Sequence, residues 1–183
     1  PTEALIAHVL VSKYADHLPL YRQAQIFARS GVTLDRSTLA GWVGKAAFHL
    51  GPIVDRMTAE LKRSERLFMD ETPAPVLDPG RGKTKTGYLW ALARDDRRWG
   101  GADPPAVVYA YAPGRGAEHP QRILDGFSGV LQVDGYAAYK AVSRGRGPDA
   151  PLRLAHCWAH GRRKLREVFD SDASPIAAEG LRR

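Results

Sequence analysis

Two aspartates follow apolar segments in a way that could assemble a metal site. Asp70 follows Leu67-Phe68-Met69, and Asp134 follows Val130-Leu131-Gln132-Val133. Taken singly, each reads as a turn residue at the end of a strand, because aspartate favours turns. If the two strands are neighbours in one sheet, both carboxylates meet at one edge. They then offer hard oxygen ligands to Mg2+ or Mn2+. Two such ions, roughly 3.5–4 Å apart, clamp the attacking and leaving oxygens of a phosphodiester. Two carboxylates alone leave one ion weakly held, so a third is expected. Glu167 is one candidate, at a spacing from Asp134 that suits a compact domain. The other reading makes it a solvated helix glutamate paired with an arginine such as Arg163.

Other chemistry-bearing residues cluster nearby. Cys157 and His160, with His156 adjacent, have a metal-like spacing. A structural zinc site needs four ligands, usually as two pairs, and no second pair is present. Packing and hydrogen bonding near the active edge is the better reading, with a role for His160 beside a scissile phosphate left open. Gly80-Arg81-Gly82-Lys83-Thr84 resembles the end of a phosphate-binding loop, but Leu77 stands where that loop needs its first glycine. The segment also leads into a strand, whereas a phosphate loop opens a helix. A basic hairpin loop touching DNA phosphates, with Lys83 and Lys85, fits better. The run Arg162-Arg163-Lys164, with Arg166, either neutralises phosphates or forms a solvated helix face. Trp42, Trp90 and Trp158 read as core.

The elements that must position these residues fall into two textures. Residues 3–64 read as helical. Leu5, Ile6, Val9 and Leu10 have helical spacing. A second helix is expected over 19–29, with Pro19 in its first turn and Gly31 as its stop. Asp35 can cap a third helix over 36–50, ended by Gly51-Pro52, and a fourth follows over 53–64. The short turn between the second and third helices outlines a helix-turn-helix. One reading places Arg36 at the start of a recognition helix facing DNA; the other is an ordinary helical hairpin. Beyond residue 65 strands are expected over 66–70, 88–94, 106–111, 129–134 and 152–156. Helices are expected over 118–127, between the last two strands, and over 158–170. Three successive strands read as an antiparallel meander, and the later ones as parallel strands reached through helical crossovers. That order matches a ribonuclease-H-like α/β fold. The expected division is a helical segment over 1–64 and a catalytic domain over 65–183.

The 183 residues are 44% hydrophobic, enough for one ordinary domain and a small helical appendage. The net charge of +7 favours a polyanionic partner, most simply DNA. A single cysteine excludes an internal disulfide and fits a reducing cytosol. No apolar run approaches the ~20 residues needed to span a bilayer. Pro1 at one end and Leu181-Arg182-Arg183 at the other read as cut ends of a longer product.

A longer series of motifs carries a family resemblance. Asp70-Glu71-Thr72-Pro73 precedes Val76-Leu77-Asp78-Pro79-Gly80 and Gly82-Lys83-Thr84-Lys85-Thr86-Gly87. Then come Leu89-Trp90, Arg94-Asp95-Asp96, Asp134-Gly135-Tyr136, Cys157-Trp158-Ala159-His160 and Arg162-Arg163-Lys164. In the helical part Ser12-Lys13-Tyr14, Asp16-His17-Leu18-Pro19-Leu20-Tyr21-Arg22-Gln23 and Ser37-Thr38-Leu39 belong to the same series. Together they resemble the transposases of the insertion-sequence-66 family, over almost the whole chain. The resemblance implies a DDE transposase of a mobile element, with Asp70 as first aspartate, Asp134 as second, and Mg2+ or Mn2+ as cofactor. It implies DNA transposition through cleavage at transposon ends and strand transfer into target DNA, by an enzyme of the bacterial cytosol or nucleoid that acts as a homo-oligomer. It also implies a helical insertion before the glutamate-bearing helix. Residues 174–183 resemble the start of that insertion, which places the third carboxylate beyond Arg183.

Overall fold

In a computed structural model that describes residues 1–183, the chain divides into two units, Pro1–Arg56 and Met57–Arg183. The second unit is built on a five-stranded mixed sheet: β1 (Arg66–Asp78), β2 (Lys83–Arg94), β3 (Ala106–Ala112), β4 (Gly129–Val133) and β5 (Leu152–His156), in the order β3-β2-β1-β4-β5. β1, β2 and β3 form the expected antiparallel meander, while β4 runs parallel to β1 and β5 parallel to β4. Alternation decides the faces. Leu67 and Met69 on β1, Trp90 and Leu92 on β2, Val108 on β3, and Leu131 and Val133 on β4 are buried in one apolar cluster. Two helices carry Tyr139 and Val142 or lead into Leu124 and Phe127 of that cluster. These are α4 (Glu118–Ile123) and α5 (Ala137–Arg144). The opposite face carries Phe68, Asp70 and Ala91, with Leu89, Val107, Tyr109 and Tyr111 exposed.

β1 extends eight residues past Asp70, where the sequence suggested that a strand ended. Pro73 and Pro75 concealed the extension, since proline interrupts most ladders. They are tolerated here because β4 pairs with β1 only over Arg66, Leu67 and Phe68. Beyond that point one side of β1 has no neighbour to receive an N–H. The distal parts of β1 and β2 form a two-stranded arm closed by Pro79-Gly80-Arg81-Gly82, with Gly80 and Gly82 at positive φ. Lys83 and Lys85 stand exposed on this arm, a hairpin and not a phosphate loop.

Gly129 opens β4 at φ +146, and a Cβ there would lie 2.4 Å from the Glu65 carbonyl oxygen. That carbonyl accepts the Val130 N–H at 2.9 Å, which starts the β1–β4 pairing. Gly129→Ala is therefore expected to cost roughly 2–4 kcal/mol, read as a lower urea midpoint. A loss under about 0.5 kcal/mol would refute this account of the junction.

α6 (Trp158–Asp172) and α7 (Pro175–Arg182) follow the sheet and contact each other. Ser174 caps α7 by accepting the Ala177 N–H at 3.4 Å. α6 buries none of its residues, so Trp158, expected in the core, is exposed at its first position. Trp90 is fully buried as expected.

The first unit comprises α1 (Glu3–Tyr14), α2 (Leu20–Arg29) and most of α3 (Arg36–Leu61). Gln23 on α2 is buried and donates to the carbonyls of Val9 and Leu18 at 3.2 and 3.0 Å, tying α2 to α1. Gly31, at φ +79, follows α2 and turns the chain towards α3. Gly51-Pro52 does not end the third helix, which continues to Leu61 with Pro52 inside it. Proline disfavours helix in the residue before it partly through that residue's Cβ, and Gly51 has none. The third and fourth expected helices are thus one.

Candidate active site

Asp70 and Asp134 arrive at one edge of the sheet from adjacent parallel strands. Asp70 lies two residues past the last β1–β4 pair, and Asp134 directly follows β4. Parallel direction and register together bring them to one place, since each aspartate lies four residues past the Arg66–Val130 pair. Ligand oxygens of Asp70, Glu71 and Asp134 all lie within 4.8 Å of one another. Asp70 accepts the Glu71 N–H at 2.9 Å and Asp134 accepts the Tyr136 N–H at 2.8 Å, each through Oδ1. The second of these is a tight aspartate turn through Gly135 at φ +100.

Glu71 is a different kind of carboxylate. Alternation turns it towards the core side of β1, where its side chain is 0% exposed. Its Oε1 accepts hydrogen bonds from Nε (2.7 Å) and Nη2 of Arg115, and its Oε2 accepts one from the Tyr139 hydroxyl at 2.6 Å. Burial and the neighbouring Glu71 carboxylate push the Tyr139 hydroxyl well above the usual phenol range, so it serves as a fixed donor. The hydrogen bond to Glu71 likewise raises the Arg115 guanidinium. Tyr136 donates from its hydroxyl to the Arg115 carbonyl at 2.9 Å, and the guanidinium sits 4.1 Å from the Tyr136 ring centroid. The turn carrying Asp134 is thereby linked to Glu71 through Arg115.

These groups border a cleft of about 520 Å³. Asp70 and Asp134 line it, with the buried Glu71 directly behind them; His160, Arg163 and Lys164 stand on its α6 side. A smaller recess of about 200 Å³ adjoins the same aspartates between Phe68, Ala91, Gln132 and Cys157. The Cys157 N–H donates to the Val133 carbonyl at 2.9 Å, fixing Cys157 beside Asp134's strand. A hydrogen bond with His160 holds its thiol below the usual range. The Nδ1 of His160 is buried without a partner.

Of the residues expected to touch DNA, Arg163 and Lys164 line the cleft, while Lys83 and Lys85 lie on the hairpin arm. Arg162 turns from the cleft and donates to the Leu181 carbonyl at 3.1 Å. Arg36 is exposed at the start of α3, in the first unit. Glu167 lines the cleft but stands outside the acidic trio, and its partner is Lys164 at 2.7 Å where Arg163 was expected. The sequence reading missed Glu71, Arg115 and Tyr139. The alternation of β1 does place residue 71 on the buried face, and a buried carboxylate demands a cation and donors. Which ones it finds, 44 and 68 residues away, is set by the sheet.

Comparison with known proteins adds to this picture. A family model described as "Transposase IS66 family" matches residues 1–183. The chain is 54% identical over 180 residues to y4jD of Sinorhizobium fredii (strain NBRC 101917 / NGR234), covering 97% of this chain and 35% of that protein. It is 48% identical over 184 residues to y4qI of the same organism, covering 99% of this chain and 34% of that protein. Both relatives are described as uncharacterized proteins. The chain thus spans about a third of the length of the curated relatives it matches.

Proposed function

The chain belongs to the IS66 transposase family, and from that premise we propose that it is the central part of a DDE-type DNA transposase with Asp70 and Asp134 as two of its metal-binding carboxylates. The convergence of these two aspartates from adjacent parallel strands carries the reading. The sheet order and strand directions support a ribonuclease-H-like catalytic domain. The donor set fits Mg2+ or Mn2+, because it consists of carboxylate oxygens and no neutral imidazole lies in the acidic trio. When bound, such ions activate a water or 3′-hydroxyl and stabilise the leaving oxygen of a phosphodiester. The protein's part is to hold the two carboxylates at fixed positions and to place cations where the DNA backbone enters. Arg163 and Lys164 do this on the α6 side, and Lys83 and Lys85 extend the basic surface along the arm. The parent then cuts insertion-sequence ends and joins the freed 3′-hydroxyls to target DNA, working as an oligomer on paired ends in the cytosol or nucleoid. No helix is long and apolar enough to cross a membrane.

The third carboxylate is assigned to the parent's remaining sequence. Glu71 is a poor substitute, since both its oxygens are already engaged. This favours a second reading for the isolated chain: a DNA-binding piece that does not itself join strands. Both readings meet one experiment. Full-length parent incubated with end-sequence DNA and Mg2+ is expected to cut and join, and to lose both activities in EDTA. The isolated chain is expected to bind DNA weakly, with strong salt dependence, and to leave it intact. Metal-independent cleavage by the parent would overturn the metal assignment, and metal-dependent cleavage by the isolated chain would promote Glu167 or Glu71.

A further inference from the structure

The Glu71–Arg115 pair is more than a buried salt bridge. Arg115 lies on the loop Pro113-Gly114-Arg115-Gly116 between β3 and α4, remote in sequence from both aspartates. Its side chain is 43% exposed, while that of its partner Glu71 is fully buried. Nε and Nη2 are directed onto Glu71 Oε1, whereas Nη1 makes no hydrogen bond within the protein. The guanidinium carbon lies 4.1 Å from the Tyr136 ring centroid and 6.0 Å from that of Tyr88. Tyr136 also grips the loop through the Arg115 carbonyl. A cation is thus fixed in place at the wall of the cleft that holds Asp70 and Asp134, with one donor edge unused.

We propose that Arg115 is a phosphate-contacting residue of this cleft, presenting Nη1 to a non-bridging oxygen of the DNA backbone, with Glu71 and Tyr136 as its positioning residues. The inference rests on the nucleic-acid reading above and adds a residue and a contact to it. The other cations at the cleft are less committed to such a contact. Lys164 is paired with Glu167, and Arg163 projects from an exposed helix. Arginine suits the task because its fork serves a carboxylate along one edge and a phosphate along another; an ammonium is a single point charge and must divide itself between them. Preorganisation supplies the rest, since no side chain has to be ordered when the backbone docks.

The test uses this chain, a short fluorescein-labelled DNA duplex and Mg2+, with anisotropy followed over a salt series. Glu71→Gln combined with Arg115→Met removes one negative and one positive charge, so net charge is unchanged. The glutamine carbonyl still accepts from Tyr139. We expect the double variant to bind about tenfold more weakly, and the slope of log K against log salt to shrink by about one. A purely structural pair moves neither once circular dichroism shows the variant folded. Equal affinity with an unchanged slope overturns the proposal. Should the double variant not fold, Arg115→Lys decides: it keeps the ion pair and charge, and is expected to lose about fivefold in affinity, with unaltered binding counting against Arg115. If the unsubstituted chain does not bind the duplex at all, the nucleic-acid reading falls and this inference with it. If it binds and the variants match it, only the role of Arg115 falls.

Discussion

In the full-length parent, Asp134→Asn is expected to lower strand cleavage at least about a thousandfold, roughly 4 kcal/mol of lost transition-state stabilisation. The substitution removes one negative charge from the proposed metal centre and changes little else. An asparagine carbonyl can still accept the Tyr136 N–H, so the turn through Gly135 persists. Folding is expected to be unharmed, because removing one of three clustered negative charges relieves repulsion. Active sites often carry such a stability cost. The two readouts separate the explanations: a large loss of cleavage with an unchanged or higher melting temperature supports a ligand role. Near-normal cleavage would remove Asp134 from the centre. Asp70→Asn is expected to behave alike, since the proposed centre draws on both carboxylates.

Arg115→Ala is expected to be the most destabilising single substitution in the cleft, at about 3 kcal/mol by urea denaturation. The ion pair is asymmetric. Glu71 is sealed in the protein while Arg115 is partly exposed, so removing the arginine strands a buried carboxylate whose only remaining donor is Tyr139. Removing the acid is gentler. After Glu71→Gln, Arg115 can turn to water and the amide oxygen still accepts from Tyr139, so about 1 kcal/mol is expected to be lost. The order of the two effects is the test. If Glu71→Gln costs as much as Arg115→Ala, the pair is not held by the burial of the acid.

What the sequence revealed, and what it concealed, follows the range of the forces involved. β4 was readable as a short Val- and Leu-rich run flanked by glycines, and β5 as a short Leu152-Arg153-Leu154 alternation after Pro151. The far half of β1 was hidden by Pro73 and Pro75, whose tolerance depends on a neighbour that stops at Phe68. The fusion of two expected helices turned on Gly51 lacking the Cβ that would clash with Pro52. At the cleft, the pairing of Asp70 with Asp134 followed from two parallel neighbouring strands in matched register. The Glu71–Arg115–Tyr139 network did not, because it joins residues from a strand, a loop and a helix that nothing local connects.

The outermost strand has a consequence for anyone preparing this chain. β3 has a partner only on its β2 side. Its sequence, Ala106-Val107-Val108-Tyr109-Ala110-Tyr111-Ala112, contains no charge and no proline, and Val107, Tyr109 and Tyr111 are open to solvent. Such a strand is a template on which a second molecule can lay its own. The net charge of +7 opposes that meeting at low ionic strength, and salt removes the opposition. Concentrated, high-salt stocks of the isolated chain are therefore where edge-to-edge precipitation is expected to begin, and Tyr109→Lys is the natural gatekeeper against it.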